Sequence, residues 1–198
     1  MLGKLRARYE KTMQPVGEAL AKLGLSPNTF TLLSLGVSVI AALAFIKLGL
    51  LIGALLIPLV GFVDMLDGSV ARATGRVTRF GGVLDHVIDR YAEYIVLCGI
   101  SAGGYMDWFW SFYAMFGMIM ASYTRAKAES IGGLKSCTVG IAERQEKLLL
   151  LIIGALIAHF IPNRAKLIMN ITAFIVGTLS HITVVQRLLY TRRHVNEV

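Results

Sequence analysis

The sequence predicts an all-α integral membrane protein with six transmembrane helices and an N-terminal amphipathic interfacial helix. Of its 198 residues, 56% are hydrophobic and only 16% are charged. The mean hydropathy is +0.66, a profile that favours a membrane protein over a soluble domain. The uncharged residues fall into long runs, most of them close to the ~20 residues that a bilayer crossing requires. We expect one domain over residues 1–198, with residues 1–25 forming the interfacial helix and residues 26–198 the six-helix bundle.

The first 25 residues predict a helix that lies along a surface, because apolar residues recur every three or four positions. The apolar face contains Leu2, Leu5, Tyr9, Met13, Val16, Leu20 and Leu23. The opposite face contains Lys4, Arg8, Lys11, Glu18 and Lys22. Such a helix suits either an anionic membrane surface or the protein's own cytosolic face. The segment has no long apolar core, so we expect no cleavable signal peptide.

Six long uncharged runs predict the transmembrane helices. Their approximate bounds are 28–46, 48–63 with a continuation into the segment after residue 64, 79–103, 108–124, 142–161 and 166–189. Ser26 and Pro27 predict the start of the first span, because Ser is a favoured N-cap and Pro a favoured first helical residue. The second and third spans carry acidic residues, so their inner halves must face protein or a water-filled cavity.

The distribution of Lys and Arg predicts the orientation. One set of connections holds sixteen basic residues and the opposite set only three, which are Lys47, Arg164 and Lys166. By the positive-inside rule, both termini are cytoplasmic and the chain is a multi-pass cell-membrane protein. The net charge of +8 does not indicate nucleic-acid binding, because the basic residues lie at the ends of apolar runs. Cys98 and Cys137 have neither metal-ligand spacing nor a clear disulfide pattern.

Four aspartates stand out in this apolar chain: Asp64, Asp67, Asp85 and Asp89. Members of each pair are three or four residues apart, so each pair shares a helix face. The short basic turn between the pairs predicts antiparallel neighbouring helices whose carboxylates converge on one volume. Such a cluster requires cations, and all-oxygen ligands favour Mg²⁺, Mn²⁺ or Ca²⁺. The alternative is a structural charge network in which Arg72 and Arg90 neutralise the acids.

These residues form the pattern D-x2-D-G-x2-A-R-x8-G-x3-D-x3-D, which resembles the signature of the CDP-alcohol phosphotransferase family. The matching positions are Asp64, Asp67, Gly68, Ala71, Arg72, Gly81, Asp85 and Asp89. The resemblance implies an enzyme that transfers a phosphatidyl-type group, diacyl or archaetidyl, from a CDP-linked lipid to an alcohol and releases CMP. It further implies an active site that faces the cytoplasm, and a homodimer.

The resemblance also implies roles for individual residues. The four aspartates would bind Mg²⁺ or Mn²⁺, as one ion or two, and Asp89 would be the general base on the acceptor hydroxyl. The CDP-lipid would be bound by Pro27, Asn28, Asp64, Gly68, Ala71, Arg72, Thr78 and Gly81.

Two further stretches concern the acceptor. Residues 122–129 (SYTRAKAE) and 140–147 (GIAERQEK) resemble segments of phosphatidylinositol-phosphate and archaetidylinositol-phosphate synthases. By that resemblance an inositol phosphate would be bound by Ser122, Arg125, Lys127, Arg144 and Arg187. Lys and Arg are exchanged at positions 125, 127 and 147 relative to these relatives, which preserves charge but not bidentate geometry.

Several alternatives remain open at this stage. Glycerol 3-phosphate is the nearest rival acceptor. A divalent-cation transporter would be expected to show internal repeats, and none is visible; a membrane prenyltransferase would be expected to have more spans.

Two small-x3-small pairs, Gly49-x3-Gly53 and Gly99-x3-Gly103, permit close helix contact, either within the chain or between two copies. The apolar sequence does not distinguish diacyl from isoprenoid lipid chains.

Overall fold

The computed structural model describes residues 13–22 and 24–195, and these residues contain helices and no strands. The helices are α1 (residues 13–21), α2 (Pro27–Lys47), α3 (Leu50–Thr74), α4 (Arg79–Ala102), α5 (Trp108–Ser130), α6 (Arg144–Phe160) and α7 (Ala165–His194), with a 3₁₀ turn at Pro162–Arg164. The predicted all-α class is confirmed. Helices α5 and α7 run past the predicted spans, because the apolar runs end before the helical backbone does.

Within the described residues, three helices are long and apolar enough to cross a membrane: Pro27–Lys47, Leu50–Thr74 and Pro162–His194, the last including the 3₁₀ turn. The helix α6 has only 17 residues, and α4 carries a cluster of charged residues in its first half. The chain is therefore a membrane protein by its apolar helices, while six crossings remain a prediction.

The buried and exposed residues of helix α2 are distributed as expected for a helix that faces lipid. Apart from Phe30 and Phe45, its buried residues are small or polar, such as Thr31, Ser34 and Ser38, whereas Ile40 and Leu43 are among its most exposed residues. In water this arrangement would be inverted, because apolar burial drives folding there. In a bilayer, small residues allow close helix contact and large apolar residues face lipid. The residues that α2 presents therefore match a membrane environment.

The packing order of the helices differs from the prediction in one respect. Helices α3 and α4 follow one another through a short turn, but they contact each other only sparingly. Helix α2 packs extensively against both, and α6 contacts α3 from another direction. The turn itself is made by Gly75, which ends α3 in the left-handed conformation (φ 64°), and by Thr78, which caps α4. The acidic ends of α3 and α4 meet near this turn, while the rest of the two helices is separated.

Glycines allow the tight contact between α2 and its neighbours. A Cβ on Gly99 would collide with Ala42, and one on Gly103 would lie 2.7 Å from the carbonyl oxygen of Phe45. A Cβ on Gly53 would collide with the Phe45 ring. Both small-x3-small pairs thus contribute to contacts within the chain, so they give no independent support for a dimer.

The described part of α1 packs against the protein itself. Met13 is buried in a cluster with Leu66 and Val70 of α3, and a Cβ on Gly17 would lie 2.6 Å from the carbonyl oxygen of Ser69. This contact fixes α1 beside the C-terminal half of α3, close to the acidic segment. The apolar residues predicted before Met13 lie outside the described residues.

Candidate active site

The carboxylates of α3 and α4 come together at one end of the bundle. One oxygen from each of Asp64, Asp67 and Asp85 lies within 4.8 Å of the others. A second group, under the same limit, joins Asp85 and Asp89 to His86. The prediction that the two pairs converge is therefore met, although the sequence did not point to His86. Asp85 is common to both groups and links them into one acidic surface.

The residues present fit a divalent cation. Asp64 and Asp89 are buried, and Oδ1 of Asp64 is a buried oxygen with no hydrogen-bond partner among the described residues. The Thr31 hydroxyl of α2 donates to Oδ2 of Asp67 at 2.6 Å, which fixes the direction of that carboxylate. An oriented set of oxygens with an unsatisfied member suits Mg²⁺ or Mn²⁺. Thr31 was not singled out from the sequence, because its role depends on α2 packing against α3.

Arg144, the first residue of α6, enters this acidic surface. Its Nη1 atom lies 2.9 Å from Asp64 Oδ2, and its Nη2 atom lies 2.6 Å from Asp89 Oδ1. Its Nε atom donates to Oε1 of Glu93 at 3.0 Å. The resemblance placed Arg144 among residues that bind the acceptor phosphate. In the structure it bridges the aspartates. Of the two bases expected in a structural charge network, Arg90 pairs with Asp89 at 3.6 Å, whereas Arg72 forms no ion pair among the described residues.

Glu93 is a further site residue that the sequence reasoning missed. It is only 3% exposed, and its Oε1 atom also receives Arg90 Nη2 at 2.9 Å. Arg90 in turn donates to the Ser122 hydroxyl at 2.9 Å. The signal was available in the spacing, because Asp85, Asp89 and Glu93 follow at intervals of four and share one face of α4.

The balance of charge supports a cation at this site. The site holds five carboxylates: Asp85 groups with Asp64 and Asp67 and also with Asp89, and Glu93 shares Arg90 and Arg144 with Asp89. Arg90 and Arg144 are the two guanidinium groups that contact these carboxylates in the described residues. Asp67 and Asp85 have no contacting guanidinium among the described residues, and the carboxylates outnumber the guanidinium groups by three. Excess negative charge in a partly buried site is costly unless a cation is bound.

The residues expected to bind the CDP-lipid surround the same end of the bundle. Ser26 caps α2 by accepting from the Thr29 amide at 3.3 Å, so the predicted N-cap is confirmed. Thr78 accepts from the Gly81 amide at 3.0 Å, and a Cβ on Gly81 would lie 3.5 Å from the Asn28 side-chain oxygen. The start of α2 and the start of α4 thus lie side by side, as a shared nucleotide site would require.

A second part of the expected nucleotide site lies on α3. The Arg72 side chain lies across Gly68, where a Cβ would approach Nη1 to 3.2 Å. Arg72 is exposed, and Ala71 is partly exposed beside it. Gly68 therefore provides space between the carboxylates of Asp64 and Asp67 and the exposed guanidinium of Arg72.

The residues expected to bind the acceptor phosphate are distributed around the ends of α5 and α7. Arg125 pairs with Glu129 at 2.9 Å, and Lys127 lies 5.5 Å from the centroid of the Tyr123 ring. Arg187 is buried and donates from Nε to the Val139 carbonyl at 2.9 Å. Its Nη1 atom donates to the carbonyl of residue 121, directly before Ser122. Arg187 thus holds the segment between α5 and α6, at Val139, against α5. Arg125 is more accessible than Arg187.

These features define a class, namely membrane-embedded enzymes with a metal-binding carboxylate site at one end of a helical bundle. Residues 24–183 match the family described as CDP-alcohol phosphatidyltransferase, and the chain belongs to this family. It is thus an enzyme of phospholipid biosynthesis that transfers a phosphatidyl-type group, and the transporter and prenyltransferase alternatives are set aside.

Two curated relatives resemble the chain over nearly its whole length. It is 34% identical to the archaetidylinositol phosphate synthase of Pyrococcus horikoshii, covering 98% of this chain and 97% of the relative. It is 32% identical to the phosphatidylinositol phosphate synthase of Streptomyces avermitilis, covering 98% of this chain and 83% of the relative.

Solved structures of the Mycobacterium tuberculosis phosphatidylinositol phosphate synthase share the fold. The crystal structure of that enzyme with CDP-DAG bound matches with a TM-score of 0.78 and 29% identity, covering 91% of this chain and 94% of that chain. The structure of its complex with manganese and citrate matches with a TM-score of 0.77 at the same identity, covering 91% and 88%. The manganese in that relative is consistent with a divalent-cation site in this family.

Proposed function

We propose that this chain transfers the phosphatidyl-type group of a CDP-linked lipid to a hydroxyl of an inositol phosphate, with release of CMP. The observation that carries the proposal is the convergence of Asp64, Asp67 and Asp85 within 4.8 Å, close to the surfaces expected for the nucleotide and the acceptor. The choice of inositol phosphate rests on the relatives, which are named for inositol-phosphate products.

The proposed architecture is a single domain over residues 1–198 with six transmembrane helices, α2 to α7. Both termini and the acidic site face the cytoplasm, and the chain is a multi-pass cell-membrane protein. The support is the excess of Lys and Arg at the ends of the helices that meet near the acidic surface. Residues 1–25 form an amphipathic helix at this face, in keeping with the contact of Met13 and Gly17 with α3.

In this proposal Asp64, Asp67, Asp85 and Asp89 hold Mg²⁺ or Mn²⁺, as one ion or two. A bound divalent ion would neutralise charge on the diphosphate and on the departing CMP. The protein's own contribution is orientation: Thr31 fixes the Asp67 carboxylate and Arg144 fixes those of Asp64 and Asp89.

Asp89 is proposed as the general base that takes the proton of the acceptor hydroxyl. A carboxylate can do this when it lies within hydrogen-bond reach of the hydroxyl. Asp89 lies at the border between the acidic surface and the acceptor residues, because its contacts run to Arg144 at 2.6 Å and to Arg90 at 3.6 Å. Asp89 is therefore placed between the proposed metal and CDP-lipid site and the proposed acceptor site.

The CDP-lipid is proposed to bind between the starts of α2 and α4 and the inner end of α3. Asn28, Thr78 and Gly81 lie together there, with Pro27 at the first turn of α2. Gly68 and Ala71 leave room beside Asp64 and Asp67, and Arg72 is exposed and can pair with a phosphate oxygen. The lipid chains would extend along the apolar surface of the bundle.

The acceptor phosphate is proposed to bind near Ser122, Arg125, Lys127, Arg144 and Arg187. A doubly charged phosphate needs more than one cation, and Arg187 lies within electrostatic range of Arg125. The side chains of Arg125 and Glu129 are 42% and 32% exposed, so water partly screens their ion pair and a phosphate can replace Glu129 as the partner of Arg125.

The test is an acceptor screen with purified protein and CDP-lipid in detergent, with CMP release as the readout. We expect release that requires Mg²⁺ or Mn²⁺ and inositol phosphate. Release only with glycerol 3-phosphate would assign a phosphatidylglycerophosphate synthase instead. No release with any phosphorylated polyol would contradict the proposal.

A homodimer is also proposed, on the family resemblance. Exposed apolar residues on α4, such as Val83, Val87 and Tyr91, leave a face that either lipid or a second copy can cover. The mass of the protein in detergent, measured by light scattering with the detergent contribution subtracted, tests this directly. A mass near twice 21.6 kDa is expected, and a monomer mass would contradict it.

A further inference from the structure

We infer that Glu93 is a positioning residue for acceptor recognition, which holds Arg90 and Arg144 in a fixed relation to the metal carboxylates. This inference rests on the proposed function and extends it to a residue outside the family signature described above. Glu93 lies one turn beyond Asp89 on α4 and is 3% exposed. A carboxylate so deeply buried is retained only when it is paired.

The pairing of Glu93 is unusual in its geometry. A single oxygen, Oε1, receives Arg90 Nη2 at 2.9 Å and Arg144 Nε at 3.0 Å. The other oxygen, Oε2, has no hydrogen-bond partner among the described residues. Two guanidinium groups from α4 and α6 are thus brought to one point, where they would repel each other without the shared carboxylate.

Each of the two arginines also contacts a second group of residues. Arg90 donates to the Ser122 hydroxyl of α5 at 2.9 Å, and Arg144 reaches Asp64 and Asp89. Glu93 therefore connects residues expected to contact the acceptor with residues expected to bind metal. Within the described part of the chain, Asp89 also pairs with both arginines, but its contact with Arg90 is longer, at 3.6 Å against 2.9 Å for Glu93.

The metal-capable groups do not include Glu93. A divalent ion on the aspartates would compete with the Nη atoms of Arg144 for Asp64, but it would leave the contact between Nε and Glu93 intact. Glu93 would then keep Arg144 beside the acidic surface with its Nη atoms available to an anionic acceptor. This arrangement explains how Arg144 can serve the acceptor phosphate while lying against carboxylates.

The experiment compares wild-type protein with Glu93→Gln in CMP release. The matched control is Glu18→Gln, an exposed Glu of α1. Loss of a charge-assisted contact predicts an apparent KM for inositol phosphate raised about tenfold, with the KM for CDP-lipid changed by less than about twofold. The wild-type protein and the Glu18→Gln control should have equal KM values for both substrates. Mn²⁺ binding, followed by electron paramagnetic resonance without substrates, should retain its stoichiometry in Glu93→Gln.

A second variant separates positioning from folding. Arg90→Lys keeps the charge but replaces the planar guanidinium with one nitrogen, so it cannot reproduce the geometry in which Nη1 binds Ser122 and Nη2 binds Glu93. It should also raise the acceptor KM, and the double variant should be less impaired than the product of the two single effects, because both act through one contact. An acceptor KM unchanged in both variants, or equal increases for both substrates with loss of Mn²⁺ binding, would overturn the inference. If wild-type protein is active only with another acceptor, the proposed function fails, and Glu93 is then tested with that acceptor.

Discussion

At the scale of single residues, the site is defined by side chains whose meaning depends on their partners. Asp89 contacts two guanidiniums, while Asp64 contacts one. The same residue type thus has different expected roles in neighbouring positions. Substitution of Asp89, the proposed base, should lower turnover, whereas substitution of Arg125, a proposed acceptor contact, should raise the KM for the acceptor.

Asp89→Asn should abolish turnover and leave CDP-lipid binding largely intact. The amide keeps the shape of the carboxylate but cannot take the acceptor proton, and general-base contributions amount to about 10²- to 10⁴-fold. CMP release measures turnover, and binding of a CDP-lipid to detergent-solubilised protein measures affinity. Asp107→Asn, a change at an exposed carboxylate outside the site, is the control. A loss of binding as large as the loss of turnover would remove the assignment of Asp89 as base.

Arg125→Ala should raise the apparent KM for the soluble acceptor more than the KM for the lipid. Arg125 is the accessible guanidinium of the expected acceptor residues, and a charge-assisted contact to phosphate corresponds to about a tenfold change in affinity. Arg164→Ala, at an exposed position in the 3₁₀ turn, provides the matched control. An unchanged acceptor KM would contradict a phosphate site at Arg125.

At the scale of elements, the sequence predicted where helices lie better than which helices touch. Hydropathy and the Ser26 cap located the six long helices, because both signals are local. The separation of α3 from α4 by α2 was missed, since it depends on how glycines of α3 and α4 meet α2. Thr31 and the bridge through Arg144 were missed for the same reason: they follow from interhelical packing, which a single sequence does not display.

Gly99→Ala should destabilise the protein, because the new Cβ would collide with Ala42. Overpacking of this kind costs about 1–3 kcal/mol. Gly82→Ala in the same helix is the matched control, since a Cβ there meets nothing within 4 Å and Ala favours helix by up to about 1 kcal/mol. Thermal unfolding in detergent compares the two. Equal midpoints for the two variants would show that α4 does not pack on α2 at Gly99.

The junction before α5 predicts a pH dependence. The Lys166 ammonium and the Asn170 amide bind Asp107 and lower the pKa of its carboxyl below its ordinary value of 3.8. A lowered folded-state pKa means that the stabilisation is present above about pH 4 and is lost as pH falls through the lowered pKa. Wild-type protein should therefore unfold at a higher temperature than Asp107→Asn at pH 6, and the difference should shrink towards pH 3. A difference that grows on acidification would contradict this assignment.

At the scale of the whole molecule, the bundle brings distant parts of the chain to one acidic surface. Helices α3, α4 and α6 contribute its charges, α2 contributes Thr31, and α5 joins through Ser122. The aspartates and the reaction class were recognisable from one continuous pattern of 26 residues. The link from Ser122 to Asp64 through Arg90, Glu93 and Arg144 arises only when four helices are assembled.

The most direct test of the central claim is a Mn²⁺ titration of purified protein, followed by electron paramagnetic resonance. Wild-type protein should bind Mn²⁺, and Asp85→Asn should weaken binding by about tenfold or more, because it removes the carboxylate common to both acidic groups. Asp107→Asn should bind as the wild type does. Equal Mn²⁺ affinity in wild type and Asp85→Asn would contradict a metal site formed by these aspartates.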